Sequence, residues 1–253
     1  MDGTKDTLKP TLYKRVPGII WKILIDEKNY LLAVESRDAD NKQVYFSVFD
    51  FKNDLVLLKN ITLEERWNVS MAHLTGNSLI IKVFPDEKNP LSKGIIVINC
   101  KTGNINWEKH NISFQNVWQE GLEVFNPDLH PRRSYLLDIE TGNEINESEL
   151  TEETSSILLP EPGKMDIIPG WLKHGETIGD VLYVQYKGKN FLSFHEKVKD
   201  EIQLRLVVYQ DDTVLINEIL ASGIQKLIPE AFFLMQANLF CIKGNNIVIS
   251  YLV

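Results

Sequence analysis

Apolar residues come along this chain in short runs, each closed by a few polar turn formers and followed by another run. Four stretches show the arrangement around a turn: "VFDFKNDLVL" at Val48 to Leu57, "INCKTGNINW" at Ile98 to Trp107, "LDIETGNEIN" at Leu137 to Asn146 and "VYQDDTVLIN" at Val208 to Asn217. In each, a β-rich run meets Asp, Asn, Thr or Gly, which tolerate positive φ or bond their own backbone, and a second run follows. That pattern predicts hairpins. Further runs stand upstream of every turn: "IIWKILI" and "YLLAVES", "WNVSMAHL" and "SLIIKVF", "FQNVWQE" and "GLEVFN", "IGDVLYVQY" and "NFLSFHE". Several, such as "YLLAV" and "GIIVI", are almost continuously apolar, as strands covered on both faces are.

Each unit therefore holds four strands, and Trp21 and Trp67 open the first two units one repeat apart. A period of about 40 to 50 residues with four strands predicts the blades of a β-propeller. The fold expected is all-β, one propeller domain spanning 1–253, with blades at 18–63, 64–113, 114–160, 161–220 and 221–253. Six blades would leave units too short for four strands. The last unit, "FFLMQANLFCIKGNNIVISYLV", supplies only three strands, with turns expected at Ala237-Asn238 and Gly244-Asn246. The N-terminal run at 11–17 is expected to supply the fourth and leave no open edge. The acidic, proline-ended stretch from Asn146 to Gly163 is expected to be a surface loop or short helix.

The turn built on Asn99, Thr102, Gly103 and Trp107, repeated in outline at Asp138, Thr141 and Gly142, resembles the repeat of quinoprotein-like β-propellers. The fold is shared by pyrroloquinoline-quinone dehydrogenases and by many scaffolds without catalysis. The resemblance implies a propeller but not the quinone chemistry, since those enzymes need eight blades and a cofactor chamber, and this chain has no adjacent cysteine pair. The whole chain also looks like a family of bacterial proteins of this length from the Bacteroidetes, a resemblance that implies no particular activity.

Composition narrows the function. With 27 basic and 35 acidic residues the net charge is −8, which argues against a nucleic-acid footprint of clustered Lys and Arg. The N-terminus lacks the apolar stretch of an export signal, and no run is long enough to span a membrane, so a cytoplasmic location is expected. On that reading the sequons at Asn60, Asn68, Asn111 and Asn146 carry no weight. Cys100 and Cys241 lie in apolar runs and are expected to be buried free thiols.

Two stretches hold the candidate chemistry. "WQEGLEVFNPDLHPRRSY" offers Glu120, Glu123, Asp128, His130, Arg132 and Arg133, where paired arginines could grip a phosphate or carboxylate. "PGWLKHGETIGD" offers Trp171, His174 and Glu176, a histidine beside a carboxylate. The competing account makes the first a solvated loop and the second a packed tryptophan with a capped turn. Trp21, Trp67, Trp107 and Trp118 are expected to pack between blades. The five histidines show no zinc spacing, and there is no nucleophile elbow, Walker loop or dinucleotide fingerprint. No catalytic residue, metal or cofactor is expected. The leading expectation is a non-enzymatic module that binds a protein partner. The alternative is a small-molecule or carbohydrate binder, hydrolytic if carboxylates such as Glu120, Glu123 and Glu176 converge.

Overall fold

The computed structural model describes residues 7–88, 91–146, 151 and 156–253. Strand β1 (Pro10–Arg15) is followed by three antiparallel meanders. The first sheet is β2 (Ile19–Asp26), β3 (Leu31–Asp38), β4 (Gln43–Asp50) and β5 (Leu55–Ile61). The second is β6 (Val69–Thr75), β7 (Ser78–Val83), β8 (Gly94–Asn99) and β9 (Ile105–His110). The third is β10 (Ser113–Val117), β11 (Leu122–Phe125), β12 (Ser134–Leu137) and β13 (Glu144–Ile145). After β14 (Ile157–Leu158), the fourth sheet is β15 (Glu161–Gly163), β16 (Glu176–Tyr186), β17 (Lys189–Val198), β18 (Glu201–Gln210) and β19 (Thr213–Ser222). The last strands are β20 (Phe232–Met235), β21 (Asn238–Lys243) and β22 (Ile247–Leu252), in a sheet of order β1-β22-β21-β20-β14. The chain divides into two compact units, Val16–Ser155 and Met1–Arg15 with Ser156–Val253.

Within Val16–Ser155 the second sheet is covered on both faces. Ile81, Ile96 and Ile98 pack with Ala33, Phe46 and Val48 of the first sheet, whereas Ile80, Ile95 and Val97 pack with Leu122, Val124 and Leu137 of the third. Successive strand residues point to opposite faces, so adjacent isoleucines serve two cores. This is why β7 and β8 read as unbroken apolar runs while β5 and β9, the outer strands, are largely exposed. In the other unit, Phe191, Leu206 and Val208 pack against Phe232, Leu239 and Ile249.

The recurring turn has one chemical explanation. Its Asp or Asn side chain accepts hydrogen bonds from backbone N–H groups two or three residues on: Asp50 from Lys52 and Asn53 at 3.0 and 2.9 Å, Asn99 from Lys101 and Thr102 at 2.9 and 3.1 Å, Asp138 from Thr141 at 2.7 Å. Such Asx turns reverse the chain without help from outside the hairpin. In the two close copies the next glycine, Gly103 or Gly142, has φ of 75° or 70° and donates its N–H to the Asn99 or Asp138 carbonyl at 2.8 Å.

Strand β1 pairs antiparallel with β22, Tyr13 opposite Ile249, so the N-terminal run joins the C-terminal strands as its apolar pattern requires. Two expectations are corrected. Part of the stretch read as a loop or helix forms strands, β14 on β20 and β15 on β16, because Ile157, Leu158 and Leu159 supply apolar residues and Pro160 and Pro162 are tolerated at a sheet edge; residues 147–150 and 152–155 of it lie outside the described residues. The β20–β21 turn sits one residue earlier than expected, on Gln236 with φ of 52° and Ala237.

Candidate functional site

Strand β3 opens on a buried apolar run, Leu31 to Val34, and then carries the opposite charges Glu35 and Arg37. Separated by two positions, they share a face. The Glu35 side chain is 0% exposed, and an ionised carboxylate there must be fully hydrogen-bonded. Arg37 donates to Oε1 from Nε at 2.9 Å and Nη2 at 2.7 Å, and the Ser70 hydroxyl and Met71 N–H donate to Oε2 at 3.0 and 2.8 Å. Glu35 thus ties the first sheet to β6 of the second. Arg37 Nη2 also donates to the Val69 carbonyl at 2.8 Å.

Held this way, the guanidinium lies 5.1 Å from the ring centre of Trp21 and 5.3 Å from that of Trp67. Trp21 is the residue left over by a bulge in β2: Ile20 pairs with Ser36 and Lys22 with Glu35. A bulge re-aims a side chain, and Trp21 is 66% exposed. The expectation that Trp21 packs between sheets is therefore corrected, because the extra residue turns its ring outward onto Arg37. Trp67 is partly buried against the core of the first two sheets; its N–H and that of Asn68 both donate to Glu65, at 3.0 and 2.9 Å. Trp21, Arg37, Trp67, Ser70, Phe84 and the acidic pair Asp86 and Glu87 line an open pocket of about 340 Å³.

The residues singled out from sequence fall in two places. On the third sheet, Glu123 accepts from Gln115 Nε2 and Trp118 Nε1, both at 2.9 Å, and Glu120 accepts from the Thr151 N–H at 3.1 Å, which holds its carboxyl below the ordinary range. Arg132 lies over Phe125 at 5.1 Å; His130 and Arg133 are exposed. Asp128 pairs with Lys93 at 2.9 Å. In the other unit, Trp171 meets Tyr209 edge-on at 5.5 Å, and His174 meets Phe194 edge-on at 5.8 Å. His174 Nδ1 bonds the Gly175 carbonyl at 2.6 Å, and Glu176, at the start of β16, is exposed. The two groups belong to different units, and within the first each carboxylate takes a different partner. Among the described residues no group of three or more His, Cys, Asp or Glu could hold a metal ion, and no helix is long and apolar enough to cross a membrane.

Sequence reasoning missed Glu35 and Arg37. The signal was present, the opposite charges of Glu35 and Arg37 directly after the apolar run in "YLLAVESRD", but the partners that bind Glu35 Oε2 lie in another sheet.

Residues 25–107, from the end of β2 into β9, match the family model described as Domain of unknown function (DUF4905). No curated protein matches the chain. Among solved structures, BamB from Moraxella catarrhalis is similar over 93% of this chain and 85% of its own, at 11% identity and a TM-score of 0.34. The β-propeller domain of the Trilobed protease from Pyrococcus furiosus is similar over 92% of both chains, at 12% identity and a TM-score of 0.36. The Dos1 propeller is similar over 97% of this chain and 96% of its own, at 9% identity and a TM-score of 0.28.

Proposed function

We propose that this chain is a non-enzymatic β-propeller module, its five successive sheets serving as blades of the quinoprotein-like kind, and that it binds a protein partner in the cytoplasm. Its net charge of −8 speaks against nucleic acid or an anionic membrane as that partner. The docking point is the pocket at Trp21 and Trp67. One observation carries the reading: a tryptophan two-thirds exposed, yet seated on a guanidinium that a buried carboxylate fixes in place. A large aromatic presented on such support is a pre-organised anchor, the kind of residue that dominates binding energy at interfaces.

The test is a cross-linked pulldown from the native host with wild-type and Trp21→Ala chains, followed by measurement of the recovered partner's affinity. Truncating an anchor tryptophan is expected to cost about 2 to 4 kcal/mol, or roughly thirty-fold or more in affinity. A partner recovered equally by both chains, or no reproducible partner for the wild type, refutes the reading. A second reading, a neutral small ligand or sugar stacked on Trp21, draws support from Asp86 and Glu87 at the rim, which offer acceptors for hydroxyl groups.

A further inference from the structure

Beside the pocket stand two lysines, Lys22 of the first sheet and Lys82 of the second, neither paired with a carboxylate among the described residues. Lys22 of β2 donates from Nζ to the Met71 carbonyl at 2.7 Å. Lys82 of β7 stands opposite Ser70 in the sheet, one residue from Met71. Its Nζ rests over Phe84 at 5.6 Å and over Phe114, of the third sheet, at 5.5 Å. Both lysines are partly buried, and neither forms an ion pair among the described residues. The acid whose charge acts on Lys82, Glu35, already accepts from Arg37, Ser70 and Met71. Burial and then the neighbouring Lys22 pull the Lys82 ammonium below its usual range, and Glu35 opposes them only in part.

Taking an ammonium out of water is costly unless it is paired and hydrogen-bonded. Two phenyl faces return some of that energy through cation–π attraction, but they accept none of the three N–H bonds an ammonium can donate. Glu35 has no acceptor capacity left for Lys22 or Lys82, and Asp86 and Glu87, on the pocket lining beside Phe84, form no ion pair with either lysine.

We propose that Lys22 and Lys82, with the Phe84 and Phe114 rings beneath Lys82, form a binding site for an oxyanion, a phosphate or carboxylate group carried by a ligand. The site does not depend on the partner reading of the Trp21 pocket. Lys82 supplies free N–H donors, Lys22 supplies charge, and the aromatic floor excludes water from beneath the anion. Oxyanions form short charge-assisted bonds to ammonium groups, stronger than neutral ones.

Inorganic phosphate and citrate, titrated separately into the full chain at low ionic strength and followed by calorimetry and thermal unfolding, test the proposal. Sodium chloride at matched ionic strength is the reference, and the exposed Lys101→Met is the control variant. Expected are one saturable site for phosphate or for citrate, a rise in unfolding temperature that chloride does not reproduce, and about tenfold or greater weakening in Lys82→Met. Saturation by phosphate alone identifies a phosphate site, and by citrate alone a carboxylate site. Lys82→Met removes an unpaired cation, so it is expected to fold; Lys22→Met provides an independent second variant, expected to weaken binding in the same direction. No saturable binding of either anion, an equal response to chloride, or equal weakening in Lys101→Met overturns the proposal.

Discussion

Glu35 is the joint on which the candidate pocket rests, and its removal has a calculable consequence. Glu35→Ala deletes the acceptor of four hydrogen bonds, two from Arg37, one from Ser70 and one from Met71. The Arg37 side chain is only 18% exposed, so water replaces its lost partner incompletely, and Met71 is fully buried. Removing one member of a buried ion pair costs about 3 to 5 kcal/mol, mostly for the charge left behind. Glu35→Gln keeps one oxygen but points its amide N–H groups at donors, and the expected cost is about 1 to 3 kcal/mol. Replacing both partners, Glu35→Met with Arg37→Met, is expected to cost less than Glu35→Ala alone, because no charge is stranded. Urea unfolding followed by tryptophan emission is the suitable assay: Trp21, Trp67, Trp107 and Trp118 lie in the unit that contains Glu35, and only Trp171 lies in the other. The midpoint should fall with little change in slope. A cost below about 1 kcal/mol for Glu35→Ala, or a double variant as unstable as the sum of its parts, would refute the reasoning.

Three further expectations are sharper for being local. Burial pushes the Cys100 and Cys241 thiols up to about 12, so a thiol reagent at about pH 8 should find neither in the native protein and both after denaturation; fast native labelling contradicts this. Gly103→Ala and Gly142→Ala both force alanine into the left-handed region, at about 1 to 2 kcal/mol each, but only at Gly142 would the new Cβ lie 2.7 Å from the Trp107 ring. Gly142→Ala should therefore be clearly the more destabilising and shift tryptophan emission, and equal costs would sink the argument. His195 is buried and its Nε2 accepts from the Ile228 N–H at 3.0 Å; burial lowers its pKa from 6.5. The unfolded chain then takes up the proton first as pH drops, so the stability His195 contributes is present above about pH 6.5 and is lost as pH falls through its lower folded value. His195→Gln should flatten that segment of the stability profile, and an unchanged profile counts against the assignment.

Strand placement was legible because each hairpin announces itself locally, through apolar runs and through Asp50, Asn99 and Asp138, whose side chains close their own turns. The pairing of β1 with β22 was legible for a different reason, a C-terminal unit one strand short. What escaped depends on contacts no window contains. The bulge that exposes Trp21 does not alter the apolar pattern of "IIWKILI", so the ring looked like packing. Ile157 to Leu159 are outweighed by the acidic residues around them, although two of the three, Ile157 and Leu158, suffice for an edge pairing. The site fared worst: Glu35 acquires meaning only when Ser70 and Met71 arrive from another sheet, whereas Glu123, conspicuous in sequence, spends its oxygens on Gln115 and Trp118 close by in the chain.

The pairing of β1 with β22 also sets an order of events during synthesis. Tyr13 is made 236 residues ahead of its partner Ile249. All of Val16–Ser155, with its Asx turns and its two sheet-to-sheet cores, is available to fold in the interval. Leu12, fully buried in the finished protein, has no native cover from β22 until then. The nascent chain must carry the apolar residues of β1 unsatisfied while everything between β1 and β22 is made, which makes that segment a natural point of contact for a chaperone and ties completion of its sheet to the synthesis of β22.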